Sequence, residues 1–98
     1  MLVQKFEKMA KLINKLSEKE VVNEILNFIM LGNPSLKKQK IPLDKSLMEL
    51  GYLDSFGIIE LVTFLEKKFK VTIEDKEITK EIFGSINKMS KLVVKKIK

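Results

Sequence analysis

Apolar residues recur in this chain at steps of three and four in four separate stretches, and that spacing commits most of it to amphipathic helix. Leu2, Phe6, Met9, Ile13 and Leu16 form the first stripe, with Lys5, Lys8, Lys11 and Lys15 on another face. Val21, Val22, Ile25, Leu26, Phe28, Ile29, Met30 and Leu31 form the second. Apolar residues cover most of its circumference near the end, as expected of a helix central to a core. Ser17-Glu18-Lys19-Glu20, between the two, has the form of a capping box. It starts either a new helix or a new turn of the same one. Gly32-Asn33-Pro34 then stops the helix. Ile58, Leu61, Val62, Leu65 and Phe69 give residues 55–69 a clear core face, and Asp54 stands where an N-cap belongs. Ile86, Met89, Leu92, Val93 and Ile97 do the same for a last helix, with Ser85 as its cap.

The segments between these helices are less regular. Residues 32–54 form a long connection, and such loops are often functional in compact domains. Ile41, Leu43, Leu47, Met48 and Leu50 are expected to pin it to the core, with one helical turn over Ser46–Leu50 ended by Gly51. Val71-Thr72-Ile73 is too short for a sheet and reads as an extended connector. A short helix or turn is expected around Asp75–Phe83. With 98 residues the chain suits one domain. The expected architecture is all-α: a four-helix bundle with a long loop after the first core helix and a short third helix. Residues 1–16 are read as an N-terminal helical extension and residues 17–98 as the domain. The extension is expected to dock on the domain through its apolar stripe; the alternative is a basic helix lying on an anionic surface.

The chain has no Cys and no His, and all 19 of its basic residues are Lys. Disulfide frameworks, Cys/His zinc sites, thiol catalysis and His-based triads are therefore excluded. Catalysis would fall to carboxylates or Lys. Glu74-Asp75 is an adjacent acidic pair, but neighbours in sequence point to different sides of a helix. The four Gly are scattered, so no glycine-rich phosphate loop is present, and dense acidic spacing for calcium is missing as well. The expectation is a protein that is not itself an enzyme and holds no metal.

The net charge is +6. A basic balance favours nucleic acid, anionic membrane or an acidic partner, but Lys without Arg argues against base-specific contact. Residues 1–40 carry eight Lys against four acids, so the excess sits in the first part. From Asp44 to Glu60 the sign reverses, with Asp44, Glu49, Asp54 and Glu60 against Lys45 alone. No apolar stretch approaches the length that spans a bilayer, and the N-terminus lacks a signal-peptide core. A cytoplasmic location without stable membrane insertion is expected.

One segment stands out as a site. At about 100° per residue, Phe56, Glu60, Thr63 and Lys67 fall opposite the core face of residues 55–69, with Ile59 at the border. A large aromatic on a solvent face calls for a reason. Ser55 falls in the first turn of that helix, after the long loop. There its hydroxyl is exposed and the helix dipole favours negative charge, so a phosphate ester would sit well. A plain capping serine matches the same position.

The segment Leu50-Gly51-Tyr52-Leu53-Asp54-Ser55-Phe56, followed by Glu60-Leu61-Val62 and Leu65-Glu66-Lys67-Lys68-Phe69, resembles the acyl carrier proteins. Ile73-Glu74-Asp75 matches the family's Ile-x-Asp step. Phe83-Gly84-Ser85-Ile86, with Met89 and Leu92, resembles the entry to its last helix. The likeness covers roughly residues 18–97 in order and spacing. It implies that Ser55 is the attachment site for 4′-phosphopantetheine, with Asp54 beside it. A phosphopantetheinyl transferase would take that group from coenzyme A. The arm's thiol would then carry an acyl or aminoacyl group as a thioester, so the sulfur chemistry absent from the chain belongs to the cofactor. The resemblance also implies partner contacts at Phe56, Ile59, Glu60 and Thr63, with Asp44 and Glu49 adding negative charge for an enzyme's Lys and Arg.

Several positions depart from the family's pattern. Its members are usually strongly acidic, whereas this chain is basic, and Lys67, Lys68 and Lys70 stand where acids are common. Phe56 replaces the usual Leu, and Gly57 a common polar or acidic residue. Leu-Asp-Ser-Phe-Gly is similar to D-alanyl carrier proteins and to discrete carriers served by dedicated ligases, which points away from a housekeeping role in fatty acid synthesis. The expectation is a discrete, monomeric acyl carrier working with a ligase and acyl-transfer enzymes. An aminoacyl carrier is the close variant. A basic helical module on nucleic acid or anionic membrane, and an interaction domain with an unmodified Ser55, are the rival readings.

Overall fold

No glycine or proline interrupts residues 2–31, and the computed structural model has one unbroken helix there. It describes residues 2–37, 40–79 and 84–97; within the first helix, side chains are described at residues 5–9 and from 17 onward. The first helix, α1, runs Leu2–Gly32. At about 1.5 Å per residue it is about 46 Å long, which accounts for most of the molecule's 49 Å length. The Ser17 capping box therefore continues a helix instead of starting one. α1 stops as expected: Asn33 donates from its backbone to the Met30 carbonyl and from Nδ2 to the Ile29 carbonyl, each near 3 Å. Then come α2 (Ser55–Phe69), a single 3-10 turn η1 (Asp75–Glu77) and α3 (Ile86–Ile97). No strand occurs among the described residues, and the fold is all-α. η1 stands where the short third helix is expected; Lys80–Phe83 lie outside the described residues.

Val21, Ile25, Leu26 and Ile29 of α1 pack against Ile86, Met89, Val93 and Val94 of α3, and Ile58, Leu61, Val62 and Leu65 of α2 close the core. Phe28 and Phe64 join α1 to α2, with ring centroids 5.2 Å apart and planes tilted by 33°. Ile41 and Leu47 enter from the loop and Ile73 from the extended connector after α2. The connector is held by the Glu66 carboxylate, which accepts from the Ile73 N–H at 3.0 Å. Ser85 caps α3 by accepting from the Lys88 N–H.

Some expected core residues lie outside it. Leu31 and Ile97 are exposed, because each stands at the end of a helix past its last buried turn. Leu43, Met48 and Leu50 are exposed too. A loop that follows the surface buries few of its side chains, and here Ile41 and Leu47 fill that role.

The expected docking of residues 1–16 is overturned where side chains are described, since Phe6 and Met9 are 67% and 56% exposed. The reason is phase. Carried along one helix at about 100° per residue, Phe6 and Met9 lie about 150° round from the mean direction of Val21, Ile25, Leu26 and Ile29. The bundle occupies the other side of α1.

Lys96 of α3 and Glu77 of η1 pair at 2.7 Å. The hydrogen bond from Lys96, and then that from the Glu74 backbone N–H, hold the Glu77 carboxyl below its ordinary value of 4.5. A lowered folded-state pKa means that this contribution to stability is present above the unfolded value and lost as pH falls through the folded one. Lys96→Gln is expected to raise the Glu77 pKa in a carboxyl-carbon NMR titration. An unchanged value would mean the pair does not form in solution.

Candidate cofactor-attachment site

The loop delivers the site through a chain of backbone hydrogen bonds. Asn87 donates to the Leu43 carbonyl at 2.9 Å, and Leu47 to the Gly84 carbonyl at 3.3 Å, tying the loop to the start of α3. One helical turn follows, closed by Leu50 donating to the Ser46 carbonyl at 3.0 Å. Gly51 ends it at φ +79°, a left-handed conformation that suits a residue without Cβ. Tyr52 and Leu53 then both donate back to the Leu47 carbonyl. Leu47 is completely buried, so this reversal is anchored from beneath.

Asp54 follows in extended conformation and caps α2, its Oδ1 accepting from the Gly57 N–H at 2.7 Å. Ser55 is therefore the first residue of α2, not its cap, and it is exposed. Gly57 lets the cap close tightly. A Cβ there would stand 3.1 Å from Leu53 Cδ2 and 3.3 Å from Asp54 Oδ1, both closer than ordinary contact.

The remaining candidates divide into groups. Phe56 and Ile59 are exposed to 68% and 58%, and Glu60 and Thr63 are exposed beside them. The Thr63 hydroxyl donates to the Ile59 carbonyl, so its polar atom already has a partner on its own helix. These four share one face of α2, as the helical spacing anticipates. The four acids are all exposed. Asp54 and Glu60 border a groove shared with Phe28 and Gly32 at the end of α1. Glu49 borders a different cleft, and Asp44 follows Leu43, which is bonded to Asn87.

That second cleft holds about 440 Å³ and is mostly apolar, with Met48, Ile58 and Ile78 among its walls. Ile58 lies three residues beyond Ser55, or nearly one helical turn. Met48 and Ile78 went unnoticed as site residues because the cleft is assembled from segments far apart in the chain, and no spacing within one segment signals it.

A phosphate diester suits Ser55. The hydroxyl is open to an incoming enzyme, and the N-terminal dipole of α2 favours the negative charge by about 0.3–1 kcal/mol at an exposed position. Asp54, its neighbour in the chain, spends one oxygen on the Gly57 N–H, which reduces its opposition.

Comparison with known proteins converges on the same chemistry. Residues 19–93 match the model of the phosphopantetheine attachment site family. The D-alanyl carrier proteins of Streptococcus suis strains 05ZYH33 and 98HAH33 are each 36% identical over 52 residues, which is 53% of this chain and 66% of theirs. The acyl carrier protein of Cyanophora paradoxa is 30% identical over 61 residues, 62% of this chain and 59% of that one. The chain thus spans just under two thirds of the length of these relatives. With three quarters of its residues inside the family match, and a capped helix presenting an open serine, the chain belongs to the phosphopantetheine attachment family, whose cofactor is covalently bound 4′-phosphopantetheine.

Proposed function

We propose that this protein is a discrete acyl carrier whose 4′-phosphopantetheine arm is attached through Ser55 Oγ. The exposed serine at the first position of a helix capped by its own neighbour carries this reading. When bound, the arm supplies a terminal thiol for thioester carriage. The chain's own residues anchor and present it: Leu47 and Gly51 set the reversal, Asp54 and Gly57 fix the start of α2, and Phe56, Ile59 and Glu60 offer a face to enzymes. A phosphopantetheinyl transferase and a ligase are the partners, and the cytoplasm, where coenzyme A donates the arm, is the setting. The apolar cleft beside Ile58 favours an acyl cargo, since it offers room for a hydrocarbon chain. The likeness to D-alanyl carrier proteins favours the second reading, an aminoacyl carrier served by a dedicated ligase.

Incubation with coenzyme A, magnesium and a broad-range transferase tests the proposal. Intact-mass measurement should show a gain of one phosphopantetheinyl group. A folded protein that gains nothing would overturn it.

Charge on α2 should set the speed of this reaction. Glu60 is exposed, so Glu60→Lys is expected to slow modification or ligase loading about fivefold at low salt with little change in stability. The difference should shrink as salt screens it. Equal rates for both proteins across the salt series would defeat the steering argument.

A further inference from the structure

In the first half of α1 the described side chains, residues 5–9, are all exposed. Its composition selects what could cover it. On a wheel of about 100° per residue, positions Leu12, Leu16, Met9, Leu2, Ile13 and Phe6 fall within an arc of about 120°. Lys5 is the only charged residue in that arc. The rest of the circumference holds Lys8, Lys11 and Lys15 against Glu7 alone. Phe6 and Met9 are exposed on the apolar side, and Lys5 and Lys8 are exposed as well.

From this geometry we infer that residues 2–16 are a surface anchor that lays the protein on anionic lipid bilayers. A helix with a broad apolar arc and a lysine-rich polar face lies in the plane of a membrane interface, its apolar side among the acyl chains. Lys5 can reach headgroup phosphates while its methylene stem lines the apolar arc. No described helix is long and apolar enough to cross a membrane, so the anchor rests in the interface. A second copy of the chain fits less well. A paired helical seam wants a narrower stripe with acids flanking it to answer the lysines, whereas here two copies would bring like charges together.

The phase of α1 makes the anchor compatible with the rest of the molecule. Phe6 and Met9, the exposed apolar residues on this stretch, lie about 150° round from the face that packs in the bundle, so an adsorbed α1 holds the bundle on the water side. Ser55 lies toward the far end: Asp54 shares its groove with Leu31 and Gly32, and Leu31 is about 33 Å along the helix from Met9. Adsorption therefore leaves the attachment serine accessible. The inference does not depend on Ser55 being modified, and its test separates the two.

Flotation of the full chain with vesicles decides it. Binding to phosphatidylcholine vesicles containing half phosphatidylglycerol should exceed binding to phosphatidylcholine alone by tenfold or more, and should fall as salt is raised. Phe6→Asp with Met9→Asp should reduce it about tenfold or more. Lys5→Glu with Lys8→Glu should reduce it about fivefold per site or more. Both variants should keep wild-type helicity by circular dichroism, since these side chains are exposed. Both should also accept the phosphopantetheinyl group as the wild type does. Equal binding to neutral and anionic vesicles, no binding to either, or variants that bind like the wild type would overturn the anchor. Sedimentation showing a dimer that Phe6→Asp dissociates, without vesicle binding, would assign the face to a second copy and also overturn it.

Discussion

Ser55→Ala is expected to abolish phosphopantetheine attachment while leaving the melting transition within about 0.5 kcal/mol of the wild type. The two halves of this result have separate causes. Attachment needs an oxygen at this position, and alanine has none. Stability is spared because Ser55 is exposed and the cap belongs to Asp54, whose Oδ1 holds the Gly57 N–H at 2.7 Å. Asp54→Ala gives the informative contrast. Losing the cap should cost about 1 kcal/mol and loosen the first turn, so attachment should slow but persist. Intact mass after incubation with coenzyme A and transferase reads the first property, and thermal denaturation the second. If Ser55→Ala still gained the group, the attachment point would lie elsewhere. If instead it unfolded at markedly lower temperature, the serine would have the structural role that Asp54 is assigned here.

How far the chain could be read in advance depended on the range of the interactions involved. α2 was legible in full. Its core face, the Asp54 cap and the outward Phe56 all follow from spacing within 16 residues, and helical geometry repeats over that distance. The Ser85 cap and the buried Ile86, Met89 and Val93 of α3 were legible for the same reason. The misreadings concern phase and termination. Leu2, Phe6, Met9, Ile13 and Leu16 correctly announced an amphipathic helix, but docking on the domain required knowing that Ser17 does not interrupt it. A capping box is a local offer that a helix can decline, since Ser17 and Glu20 are tolerated in a helix interior. Once α1 is continuous, Phe6 and Met9 fall nearly opposite Val21, Ile25, Leu26 and Ile29, and they are exposed. The cleft walled by Met48, Ile58 and Ile78 was not legible, because residues this far apart meet only through the tertiary fold. The grooves that the acids border were not legible for the same reason: Glu49 lines the cleft with Ile58 and Ile78, and Glu60 the groove with Phe28 and Gly32.

Leu47→Ala is expected to cost about 2–5 kcal/mol, a large share of the stability of a domain this size. The side chain is completely buried within the core, so its loss leaves a cavity that the neighbouring side chains can fill only by moving. The consequence reaches the site, because the Leu47 carbonyl accepts from both Tyr52 and Leu53, and its N–H donates to Gly84. A slack Leu47 would free the reversal at Gly51 and, with it, the placement of Asp54 and Ser55. Urea denaturation should show the loss of stability. At a temperature where the variant remains folded, attachment to Ser55 should be slower than in the wild type. Leu47→Met, close in volume, should cost less than about 1.5 kcal/mol and keep near-normal attachment. A Leu47→Ala protein as stable as the wild type would mean that the loop is not pinned from beneath. A destabilised one with an unchanged attachment rate would show that α2 holds Ser55 in place without the loop.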